Sequence, residues 1–118
     1  HLSHHEDKAD MMAQYARINR WHASRFAWLM QRLAGIKEGD GTLLDRSIVL
    51  FGSGIADGNR HEPDDLPLVV GGGVFRGGRQ LRQPGLTPLC NLYVSVLRAF
   101  GLADERFGDS TGELDGLV

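Results

Sequence analysis

Along the first third of the chain, Met11, Tyr15, Ile18, His22, Phe26, Leu29, Leu33 and Ile36 recur at intervals of three or four residues. That spacing predicts an amphipathic helix ending near Gly35, with Trp21, Trp28 and Met12 broadening its apolar side. Asn19, Arg20, Gln31 and Arg32 fall off the stripe and are expected to face solvent. His22 lies on the apolar side and is expected to be a core or edge histidine with a local partner. Ser3-His4-His5-Glu6 fits a capping box, in which Ser3 and Glu6 exchange side-chain to backbone hydrogen bonds. The helix is therefore predicted to start there, with His4 and His5 as its first two residues.

Gly39-Asp40-Gly41-Thr42 reads as a turn, and the continuous apolar run Ile48 to Phe51 reads as a strand buried on both faces, hence central and parallel. It runs out into the glycine-rich loop Gly52-Ser53-Gly54-Ile55-Ala56-Asp57-Gly58-Asn59-Arg60-His61. Leu66-Pro67-Leu68-Val69-Val70 predicts a second buried strand, with the proline at its start, where no ladder donor is needed. The stretch from Val74 to Arg82 suggests a short hairpin or irregular ribbon. Thr87-Pro88 marks another helix, with a capping hydroxyl and a proline at the first position, and Gly101 marks its stop. The tail after Leu102 has glycines among acidic residues and is expected to be mostly loop. This order predicts an α/β fold: a small, mostly parallel sheet flanked by a long N-terminal helix and a C-terminal helix.

A length of 118 residues, 42% of them hydrophobic, suits one domain over 1–118, or the C-terminal piece of a larger domain. The chain opens on histidine inside what reads as a motif, which favours a fragment. The net charge of -2 argues against nucleic acid as a partner. No apolar run reaches the roughly 18 residues that span a bilayer, so no membrane partner is expected either. The single cysteine, Cys90, excludes an internal disulfide and reads as a core residue.

Chemistry concentrates at two places. His1, His4 and His5 cluster at the start, and imidazole is the commonest transition-metal ligand at neutral pH. Asp57 and His61 lie in a loop leaving a strand end, the usual site of chemistry in an open α/β sheet. The alternatives are an exposed helix start and a solvated Asp-Gly turn. Ser53 follows a strand, but no helix follows it, so it is a poor match to a nucleophile elbow. Gly71-Gly72-Gly73 lacks the lysine of a Walker motif.

With these residues in view, the chain resembles the C-terminal part of the bacterial HxxSHH family, exported proteins of uncharacterised function. Leu2-Ser3-His4-His5 with His1 before it, Phe51 to His61, Leu66 to Gly73, and Thr87 to Tyr93 carry the resemblance. That family is similar to the alkaline phosphatase and sulfatase superfamily. The resemblance implies an alkaline-phosphatase-like fold, a divalent-metal site with zinc as the leading candidate, and a periplasmic or secreted location. Where that superfamily carries an Asp-His ligand pair, this chain has Gly54-Ile55, and Asp57 and His61 are the candidates to take its place. The superfamily's nucleophile would lie upstream of His1, so no catalytic residue is assigned.

The function expected from these residues is a metal-dependent hydrolase-like domain acting on a small anionic phosphate or sulfate ester, incomplete as a catalyst in this stretch. His4, His5, Asp57 and His61 are the candidate metal ligands, and His1, Ser53, Gly54 and Asn59 the candidates for substrate binding. The alternative is a non-catalytic module of the same fold that binds a ligand or a partner.

Overall fold

A computed structural model describes residues 3–117. Helix α1 spans Ala9–Ala34, β1 Lys37–Glu38, β2 Gly41–Thr42, β3 Val49–Gly52, β4 Leu68–Gly71 and α2 Cys90–Ala99, with a 3-10 turn at Leu44–Arg46. The strands form two separate antiparallel pairs, β1 with β2 and β3 with β4. No parallel sheet forms among the described residues, which corrects the predicted α/β architecture and, with it, the expected alkaline-phosphatase-like fold.

The reason lies between β3 and β4. A parallel return needs a crossover, usually a helix. Residues 53–67 instead double back on themselves through an isolated bridge between Asp57 and Glu62, so β4 returns antiparallel. Its register pairs Val49 with Gly71 and Phe51 with Val69. β3 is not buried on both faces. Val49 and Phe51 are half-buried toward α1 while Leu50 and Gly52 are exposed, the alternation of a sheet with one wet face.

α1 follows the three-and-four spacing and stops at Gly35, whose N–H reaches the Gln31 and Arg32 carbonyls at 3.1 Å. It rests on β3 and β4 through Phe26, stacked on Phe51 with ring centroids 5.4 Å apart. Phe26 and Met30 also lie so close to Gly71 that a β-carbon there would collide with the Met30 side chain. None of the helix's residues is fully buried. Trp21 and Trp28 are 57% and 53% exposed, so they do not broaden the buried stripe. His22 is exposed as well, edge-on to Trp21 rather than in a core.

Two predicted caps are corrected. α1 starts at Ala9 behind Lys8 with no side-chain cap. Glu6 and Asp7, with φ of 50° and 55°, are left-handed and cannot continue a helix. α2 starts behind Leu89, and Thr87 Oγ1 donates to the Pro84 carbonyl instead of capping. Residues 74–82 form no strand, and of the predicted turn only Gly39 and Asp40 close the small β1–β2 hairpin, Gly41 and Thr42 being its second strand.

The tightest packing lies on α2, where Leu92 and Val94 are buried with Leu117 from the tail. Asn91 Nδ2 donates to Thr111 Oγ1 at 3.1 Å, and its Oδ1 accepts from the Thr111 amide at 2.9 Å. Cys90 is only half-buried, and the Asp109 carboxylate beside it pushes its thiol pKa up. The accessible surface of 8648 Å² exceeds the roughly 6300 Å² of a compact 13.0 kDa monomer. The radius of gyration, 16.5 Å, likewise exceeds about 13.5 Å for this length. Much apolar surface therefore stays at the outside.

Candidate functional site

Beyond β3 the chain turns sharply around Asp57. Its Oδ1 accepts from the Asn59 amide at 2.7 Å and the Arg60 amide at 3.3 Å, the aspartate turn that Asp-Gly sequences favour. The Asn59 amide, above all, holds the Asp57 pKa below its ordinary value, with the Arg60 amide and charge and the His5 ring adding to it. Asp57 is therefore an anion at neutral pH, but one oxygen is committed to the backbone. His61 closes the turn in the left-handed region, φ 55°, a conformation that costs a residue with a β-carbon on the order of 1 kcal/mol.

The N-terminal segment lies directly against this turn. The Glu6 amide donates to Asn59 Oδ1 at 2.9 Å. A β-carbon on Gly58 would sit 2.5 Å from the Ser3 carbonyl oxygen, so only glycine admits the contact. These two clamps bring His4 to His61, with Nε2 atoms 3.0 Å apart and ring centroids 4.8 Å apart.

Such a pair has few chemical options. Two lone pairs at that distance repel, so either one nitrogen carries a hydrogen and donates to the other, or a cation sits against both. Ser3 Oγ, 3.2 Å from His4 Nδ1, influences the choice. If Nδ1–H donates to Ser3, Nε2 of His4 is left as a lone pair facing His61. In a tetrahedral site with bonds near 2.0 Å, two nitrogens stand about 3.3 Å apart. The pair is thus within a few tenths of an ångström of that spacing.

The other expected residues do not converge. His5 is half-buried, and its Nδ1 accepts from the Asp7 amide at 3.1 Å. Among the described residues, no group of three or more His, Cys, Asp or Glu side chains is placed to hold a metal ion. Of the four candidate ligands, the fold brings His4 and His61 into contact and leaves His5 and Asp57 bonded to backbone. Ser53 Oγ accepts from the Ile55 amide at 3.2 Å, and Asn59 Oδ1 is used by Glu6. Gly54 has open space where a β-carbon would stand. His1 lies outside the described residues.

Sequence reasoning missed Ser3 and Gly58 as the contact that seats the N-terminal segment, and Asn59 as its clamp. The usable signal was a glycine between two turn-forming residues, which allows a turn and also close approach of another backbone. The arrangement defines a small, loosely packed chain of helices and antiparallel strand pairs with an imidazole pair across two loops. No family model, curated protein or solved structure matches the chain.

Proposed function

We propose that this chain is a metal-dependent hydrolase-like domain in which His4 and His61 hold a zinc-like divalent ion, serving phosphate or sulfate ester chemistry. The observation that carries this reading is the 3.0 Å separation of the two Nε2 atoms, contributed by loops 57 residues apart in sequence. His4 and His61, which meet there, belong to two of the stretches that carry the resemblance to the HxxSHH family. A periplasmic or secreted location rests on that resemblance alone.

The chain's own groups would act as follows. His4 and His61 would offer two nitrogen ligands, and Ser3 Oγ, 3.2 Å from His4 Nδ1, could accept from an Nδ1–H of His4 and so leave Nε2 for the ion. Asn59 holds the Glu6 amide and thereby keeps His4 in place. Ionised Asp57 keeps the turn closed and sets a negative charge in the same loop. A bound divalent ion would polarise an ester oxygen or lower the pKa of a bound water. Two imidazoles leave open positions for water and an anionic ester. No nucleophile is assigned among these residues, and the reading is one of metal and anion binding.

The test is metal analysis of purified protein after zinc loading, followed by binding of inorganic phosphate. Near-stoichiometric zinc that is lost in His61→Ala, with phosphate bound more tightly by the loaded form, supports the reading. A wild-type chain that retains no ion overturns it.

A second reading has its own support, since His5 and Asp57 are tied to backbone amides. In it the chain is a non-catalytic binding module, and His4 and His61 form a hydrogen-bonded latch. Replacing His4, His5 and His61 together would then leave ligand or partner binding intact.

A further inference from the structure

The net charge of -2 conceals an uneven distribution. Acidic residues outnumber Lys and Arg by 15 to 13, yet between Met11 and Ala34 there is no acid at all, against arginines at 17, 20, 25 and 32. None of these four forms an ion pair among the described residues, and what sets them apart from the other unpaired cations is that they share one helix with no acid between them. A basic strip left unneutralised in an acidic chain calls for a negative counterpart from outside.

The strip is also aromatic. Positions 21, 25, 28 and 32 are spaced four, three and four, which places them on one face of α1. The Arg25 guanidinium carbon lies 5.6 Å from the Trp21 ring centroid, and that of Arg32 5.9 Å from the Trp28 centroid. Each arginine is held against an indole, with its N–H fork free to meet an anion. The opposite side of the helix, through Phe26 and Met30, is taken up by β3 and β4. This outer face is open to solvent, with both tryptophans more than half exposed.

We propose that the outer face of α1, built from Arg17, Ile18, Trp21, Arg25, Trp28 and Arg32, docks the protein on an anionic lipid surface. Indoles settle at headgroup depth, where an apolar ring and a polar N–H are both satisfied, and the arginines beside them bond to lipid phosphates. No helix among the described residues is long and apolar enough to cross a membrane, but lying on a bilayer demands only one amphipathic face. A second copy docked symmetrically would set arginines against arginines, which charge disfavours.

The chain's two tryptophans both stand on this face, so its intrinsic fluorescence reads the contact directly. The experiment is vesicle co-sedimentation with emission spectra, comparing pure phosphatidylcholine with vesicles about one-third phosphatidylserine. The expected result is binding to the anionic vesicles alone, with a blue shift and with loss at high salt. Arg25→Gln with Arg32→Gln should weaken binding roughly thirtyfold at about one lipid-facing charge each, and Trp21→Ala with Trp28→Ala should abolish it. Arg76→Gln with Arg82→Gln, an equal loss of charge elsewhere, should leave it unchanged. Far-UV circular dichroism establishes that each variant is folded. No binding to anionic vesicles, equal binding to neutral ones, or equal weakening by the control pair overturns the proposal. Retention on DNA without vesicle binding would assign the face to nucleic acid and overturn it as well.

Discussion

His4 and His61 face each other nitrogen to nitrogen at 3.0 Å, with the Ser3 backbone lying against Gly58 beside them. Because the two imidazoles act as a unit, their substitutions are expected to be non-additive. His4→Ala and His61→Ala should each lower zinc affinity by at least about tenfold, and the double variant should be little worse than either. Isothermal titration of the four proteins checks this. Additive losses would mean that the rings bind independently.

Gly58→Ala tests the seating of the N-terminal segment without touching a nitrogen donor. The added methyl group would meet the Ser3 carbonyl oxygen at 2.5 Å and must push the segment away. We expect loss of zinc affinity comparable to that of His4→Ala, together with faster hydrogen exchange at the Glu6 amide, which Asn59 now protects. Unchanged exchange at Glu6 would show that the contact is not what holds the segment.

Asp45 gives the acid limb of stability a specific origin. Its Oδ2 accepts from the Thr42 hydroxyl at 2.8 Å and the Thr42 amide at 2.7 Å, and these bonds hold its pKa below the usual aspartate value. A lowered folded-state pKa means that this contribution is complete above the unfolded value, about 3.9, and is lost as pH falls through the lower folded one. The Glu6 and Asp57 pKa values are lowered as well, by Lys8 and by the Asn59 amide. Asp45→Asn should therefore flatten, but not remove, the fall in melting temperature below about pH 4. An unaltered acid limb would show that Asp45 contributes nothing.

Ser95 is fully buried on α2, where its hydroxyl accepts from the Leu114 amide at 2.9 Å and donates to the Asn91 carbonyl at 3.3 Å. Ser95→Ala removes the acceptor and leaves that amide without a partner, at a cost of about 1–3 kcal/mol. Denaturant unfolding measures it, with protease sensitivity of the tail as a local readout. A midpoint equal to wild type would mean that water replaces the hydroxyl.

Both helices could be read from the chain because their cause is local. Three-and-four spacing from Met11 to Leu33, with Gly35 behind it, contains the helix and its end, and Leu92 with Val96 and Gly101 does the same for α2. The starts were misread because Ser3 and Thr87 satisfy a capping pattern in sequence but are drawn into other bonds. Ser3 Oγ lies 3.2 Å from His4 Nδ1, and Thr87 Oγ1 donates to the Pro84 carbonyl. A capping motif states what a hydroxyl can do, and a competing partner close by decides what it does.

By itself, then, the sequence determined the helical segments, the two apolar runs that became β3 and β4, and the pairing of a histidine-rich start with an Asp-Gly-Asn turn as the place to look. Only the tertiary structure decided that β4 returns antiparallel, that Trp21 and Trp28 face outward, and that His4 rather than His5 meets His61. The physical reason is common to all three. Periodicity says which residues share a face, but not what lies opposite that face. An apolar run of four residues pairs in either direction, and adjacent helical or loop residues point apart, so a neighbour distant in sequence selects between them.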